Sequence, residues 1–204
     1  KIMSNVTAVK AKFMAPLGAS TTNVAANQTT TGTTDIVLVA TAAGFGNWSN
    51  VATTLKFTSG SATTNAIVFT ITGTDQNGLP VTATHTGPAG NANNDTTQVF
   101  TSVTQISKPT VATSLSIGTN ASASGPIFSG RTRVRGMHVH ASTNAVALSL
   151  RNTSITGAIK LTLGIPGGAT NQTDPYIPDD GILFTNGAYT DVTGLGSATF
   201  FFDG

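Results

Sequence analysis

The chain is predicted to be all-β, with two β-sandwich-like domains behind an extended N-terminal arm, on three observations. About one residue in five of its 204 is Thr, and Thr, Ser, Asn, Gly and Val together favour strands, turns and caps over helices. Sustained 3.6-residue periodicity is missing: only Val9 to Leu17 offers a short helix, and Pro16 limits it. From Thr34 onward, short alternating apolar runs recur between turn residues.

Residues 1–33 carry little charge and no strong pattern of their own, so they are expected to form an arm that orders on a neighbouring subunit. Six runs follow within residues 34–118: "DIVLVAT" at 35–41, "TLKFTS" at 54–59, "NAIVFTIT" at 65–72, "PVTATHT" at 80–86, "TQVFTSVTQI" at 97–106 and "TSLSIG" at 113–118. Their number and spacing match a first domain of immunoglobulin-like size, without the Cys and Trp hallmarks of antibody domains. Ile67, Phe69 and Ile71 alternate with Val68, Thr70 and Thr72, which places one apolar row inward and a mostly Thr row outward. Asn77-Gly78 tolerates positive φ, so residues 65–74 and 79–86 are expected to pair as a hairpin. Trp48, in "GFGNWSN", reads as a packing plug.

The Gly-, Ser-, Ala- and Asn-rich stretch at 117–130 breaks the pattern, and 119–130 is read as a linker. A C-terminal domain spans 131–204. "RTRVRGMHVHAS" at 131–142, "NAVALSLRN" at 144–152 and "GAIKLTLGI" at 157–165 supply three strands. Val146, Leu148 and Leu150 form one inward row and Ile159, Leu161 and Leu163 the next, pairing through "NTSIT". Asn186-Gly187 predicts a second hairpin, between "GILFT" and "AYTDVT". In the closing strand Phe200, Phe201 and Phe202 must point to both faces, so one face is expected to be covered by something beyond the local sheet, such as a neighbouring subunit.

Only 9% of residues are charged, against about a quarter in an average soluble domain. The apolar fraction is nonetheless too high for a disordered chain. The sequence pI near 9.2 reflects a surplus of two charges among eighteen, which does not describe a nucleic-acid-binding surface. There is no cysteine, hence no disulfide, thiolate nucleophile or Cys-ligated metal. No eighteen-residue apolar run supports a membrane-spanning helix, and the first twenty residues lack the apolar core of a secretory signal.

Few residues suggest chemistry. His138 and His140 lie two apart on a strand and could bite a metal, but a third ligand from Asp179, Asp180 or His85 has no spacing to support it. They are read instead as interface residues able to tune assembly with pH. Arg131, Arg133 and Arg135 place three of the ten basic residues on one strand face, suited to carboxylates of a partner or to guarding a sheet edge. Asp174, Asp179, Asp180, Asp191 and Asp203 show neither glycosidase nor calcium-loop spacing and read as turn formers. No nucleophile elbow, triad or phosphate loop is visible. No catalytic, cofactor or metal site is therefore assigned. The assigned interface residues are Arg131, Arg133, Arg135, His138, His140, Phe200 and Phe202.

Two stretches carry a resemblance. "VFTITGTDQNGLPVTATHTGPAG" with "TTQVFTSVTQIS", and "IPDDGILFTNGAYTDVTG" with "ATFFFDG", resemble modules of tailed-bacteriophage virion proteins over about half the chain. The resemblance implies a non-enzymatic structural protein located in the virion, foremost a capsid decoration (cement) protein binding the major capsid protein and itself. It implies homo-oligomers, and neither nucleic-acid nor membrane partners. A tail- or fibre-associated position is the alternative within that class, and a bacterial surface adhesin or carbohydrate-binding module the alternative outside it.

Overall fold

A computed structural model describes residues 8–39, 51–60, 65–168, 170–178 and 180–204; Trp48, Asp179 and the end of the expected 35–41 strand lie outside them. Among the described residues every regular element is a strand, and all pairing is antiparallel. The chain divides into two units, Lys1–Pro16 with Ala123–Gly204, and Leu17–Ser122. β1 (Lys10–Met14) belongs to the first unit. The chain then builds seven strands of the second: β2 (Ser20–Gln28), β3 (Thr53–Ser59), β4 (Val68–Thr74), β5 (Pro80–Thr86), β6 (Asn93–Phe100), β7 (Ser102–Ser107) and β8 (Leu115–Thr119). It returns with β9 (Ser124–Phe128), β10 (Thr132–Ala141), β11 (Val146–Asn152), β12 (Ile159–Ile165), β13 (Gln172–Thr173), β14 (Ile182–Phe184), β15 (Ala188–Asp191) and β16 (Leu195–Asp203).

The expected arm is therefore corrected: β1 pairs with β16 along five residues, and β2 pairs with β8. The partners lie roughly 90 and 190 positions away, and it is their apolar neighbours that make these Thr-rich and Lys-rich segments strands. The linker is corrected too. The boundary falls at Ser122/Ala123, within the 117–130 stretch, but β8 and β9 occupy most of that stretch.

In the Leu17–Ser122 unit the sheets are ordered β2-β8-β3-β6 and β5-β4-β7. One apolar cluster draws on both, with Leu55, Phe57, Leu115 and Ile117 from the first and Phe69, Ile71, Val103 and Ile106 from the second. The Phe57 and Phe69 rings meet at 5.0 Å. β4 and β5 form the expected hairpin, from Val68↔Thr86 to Thr74↔Pro80. Its turn is longer than two residues. Asp75 Oδ1 accepts from the amides of Asn77 and Leu79, and Gly78 takes φ +77°.

The run 97–106, read as one strand, is two strands in different sheets, broken at Thr101, whose hydroxyl donates to the Asp75 carbonyl. Residues 35–39 form no regular strand. They link two outer strands instead: Ile36 N donates to Ile106 O on β7 and Val39 N to Val24 O on β2. Across the unit, Asn94 on β6 bonds His85 Nε2 and the Thr86 carbonyl on β5. Gly118 is needed for close approach, because a Cβ there would overlap the carbonyl oxygen of Ser20 on β2.

In the other unit the orders are β1-β16-β10-β13, with β14 also on β10, and β12-β11-β15-β9. β11 and β12 pair as expected, Leu148 opposite Leu163 and Leu150 opposite Leu161. Leu148 and Leu150 are buried, whereas Leu161 and Leu163 are half-buried and Ile159 exposed, because β12 is an outer strand. The Asn186-Gly187 hairpin is corrected: β14 pairs with β10 and β15 with β11 and β9, so the turn carries the chain from one sheet to the other. Burial of both Phe184 and Ala188 favours that crossing over a hairpin.

Candidate adhesive face

β10 supplies most of the expected interface residues, and a bulge decides where they point. Thr132, Val134, Met137, Val139 and Ala141 are buried. Strict alternation would put Arg131, Arg133 and Arg135 on one face and His138 and His140 on the other. The register steps from Val134↔Phe202 to Gly136↔Phe201, leaving Arg135 as the extra residue. Both series consequently lie on the exposed side of the sheet.

Two of these side chains meet carboxylates, Arg135 and His138. Arg135 Nε donates to Asp203 Oδ2 at 2.6 Å and its Nη1 lies 3.6 Å from Asp180 Oδ1. Arg133 Nη1 reaches the Asp180 carbonyl. His138 Nδ1 lies 2.6 Å from Asp174 Oδ1. The turn reading of the carboxylates holds for Asp191, which accepts from Thr193 N, and is corrected for Asp174, Asp180 and Asp203, which serve the basic residues. Arg131 and Arg133 line a shallow hollow of about 280 Å³ with Leu183 and Asp203. His140 lies opposite Ser197, its ring in the space that a side chain at Gly196 would take.

The three adjacent phenylalanines alternate. Phe200 and Phe202, expected at an interface, are buried in their own unit, because β16 is a central strand flanked by β1 and β10. Phe201 is the one turned outward, 38% exposed. It lies opposite Ala11, and beside it stand Val9, just before β1 and 59% exposed, and Phe13 on β1, 48% exposed. Sequence reasoning missed Phe13 and Val9, which it placed in an extended arm ordering on a neighbouring subunit. Their alternation with Lys10, Lys12 and Met14 is the signal that would have found them. The inward Lys12 reaches Pro126 O at 2.7 Å, and burial holds its ammonium below the ordinary lysine value.

The face thus joins an apolar strip, Val9, Ala11, Phe13 and Phe201, to a polar margin of Arg, His and Asp in which Arg135 and His138 meet carboxylates. Such a surface can adhere by apolar burial and exchange of ion pairs. Metal ligation is not assembled: among the described residues no three His or Asp side chains converge, and His85, in the other unit, stacks on Phe57 and bonds Asn94. Of the two tyrosines, whose rings could stack on a sugar, Tyr189 is buried and Tyr176 exposed. No protein-family model, curated protein or solved structure matches the chain.

Proposed function

We propose that the chain is a non-enzymatic structural protein of a tailed-phage virion, a capsid decoration (cement) protein that holds to the major capsid protein through the outer face of β1, β16 and β10. The observation that carries this reading is the exposure of Phe13 and Phe201 side by side on a sheet where Arg135 and His138 already meet carboxylates. Docking there buries aromatic area and strands few ions. The low charge content supports it, since Thr, Ser and Asn supply neutral hydrogen bonds at repeated contacts. Adhesion is assigned to this face in place of the arm, because β1 and β2 are committed to their own units.

Each unit is proposed to be a two-sheet sandwich. For Leu17–Ser122 the shared core and seven strands support this. Its strand order differs from the immunoglobulin pattern, which seats the last strand beside the one before it; β8 lies between β2 and β3.

The test is binding of the purified chain to shells of the virion it accompanies, scored by cosedimentation and by electron-microscopic copy number. Wild type should decorate the shell in many copies, and Phe13→Ser with Phe201→Ser should lose binding while retaining its β circular-dichroism spectrum. A few copies at one vertex would support a tail position. Undiminished binding of the double variant would refute the face, and binding to a glycan array without shell binding would favour the adhesin.

A further inference from the structure

We propose that β12 is a self-docking edge: a second copy of this chain pairs antiparallel along it, about a two-fold axis at Thr162, and joins two four-stranded sheets into one. This deepens the assembly reading by naming a contact between copies, and it rests on that reading only for its purpose.

The inference starts from how the other outer strands are treated. An open edge invites pairing, and proteins blunt it with prolines, lysines, short strands or cover. β9 contains Pro126, whose carbonyl is taken by Lys12. β13 and β14 have two and three residues, and β1 carries Lys10 and Lys12 within five. In the Leu17–Ser122 unit the outer strands are tied in pairs, β2 and β7 through residues 36–39, β5 and β6 through Asn94. Among the described residues, β12 has none of these protections except one lysine. It runs seven residues without proline and, among those residues, pairs with β11 alone.

Its sequence is complementary to itself. With the axis at Thr162, Ile159 faces Ile165, Leu161 faces Leu163 and Thr162 faces its own copy. Of the core-side row, Ile159 is exposed, Leu161 and Leu163 are half-buried and Ile165 is already buried; the first three would then be covered by the same row of the second copy. On the other side, Ser149 and Thr162 already share a hydroxyl contact at 3.2 Å, which the pairing would extend across the axis. The single charge falls well: Lys160 faces Gly164, where a Cβ would meet no atom within 4 Å. Next to Gly164 is an open apolar hollow of about 480 Å³, lined in part by Ala145, Val146, Ala147 and Pro166, which can take the lysine stem. The two Lys160 ammoniums end up far apart, since four residues of strand span about 13 Å, and salt screens most of what remains.

The chain has no cysteine, so one engineered thiol reports the axis without ambiguity. Full-length Thr162→Cys should form a disulfide-linked dimer under mild oxidation, much faster than Thr84→Cys on the exposed side of β5. Sedimentation equilibrium of the wild type should show a reversible dimer. Thr162→Lys, which sets two ammoniums face to face at the axis, should weaken that dimer by roughly tenfold or more with an unchanged circular-dichroism spectrum. A strictly monomeric wild type, cross-linking no faster at residue 162 than at 84, or a dimer indifferent to Thr162→Lys would each overturn the proposal. None of these measurements uses shells, so a failed edge and a failed adhesive face give different results.

Discussion

The side chain of Asn65 meets the backbone of Thr113 as a neighbouring strand would: Oδ1 accepts from Thr113 N at 2.8 Å and Nδ2 donates to Thr113 O at 2.8 Å. The same Nδ2 reaches Ser59 Oγ, and Asn65 is fully buried. Asn65→Ala would orphan both backbone groups in a dry setting, so it should cost roughly 3 kcal/mol. Urea denaturation followed by circular dichroism measures this, and a loss below about 1 kcal/mol would mean water replaces the amide.

Phe200 and Phe201 are neighbours with opposite fates. Phe200→Ala should destabilise by about 3–5 kcal/mol, as for other buried aromatics. Phe201→Ala should stay within about 0.5 kcal/mol while weakening shell binding. Thermal melts of the two variants, run beside the binding assay, check the contrast.

Lys12 gives a pH signature. Burial lowers its pKa from the ordinary 10.5, so between the folded and ordinary values the unfolded chain binds more protons than the folded one. The burial penalty on its charge is fully present below the folded value and is relieved as pH rises through the window, so its contribution to stability rises with pH there. The difference between wild-type and Lys12→Met unfolding free energies, measured on the alkaline side up to pH 10.5, should show that slope. A flat difference would mean that the ammonium is as hydrated folded as unfolded.

Thr153, in the turn after β11, holds φ at 78°, a left-handed conformation that a β-branched residue adopts at a cost. Thr153→Gly should stabilise by about 1 kcal/mol, seen as a raised urea midpoint with unchanged slope. A lowered midpoint would show that the Thr side chain contributes more than its backbone strain costs.

The elements legible in the sequence are those whose determinants are local. The β4–β5 hairpin could be read from Asn77-Gly78 and the Ile67, Phe69, Ile71 alternation, and the β11–β12 pair from two apolar rows either side of a short turn. β1 and β2 could not be read this way, because their partners are β16 and β8, far along the chain. The split at Thr101 was hidden by an apolar run that continues through a change of sheet. On the candidate face, the arginines and histidines could be listed from sequence but not placed together, since the bulge at Arg135 shifts the parity between them. Phe200 and Phe202 misled for a related reason: exposure depends on whether β16 is central or at the rim, which no local pattern states.

Because β1 is seated on β16, its partner leaves the ribosome some 180 residues after it does. At usual elongation rates that delay is on the order of tens of seconds. Leu17–Ser122 can close while the other unit is still being translated, whereas the sheet holding Phe13 and Phe201 together is completed only when β16 emerges. A nascent or truncated copy that stops short of β16 therefore lacks the face on which Phe13 and Phe201 meet.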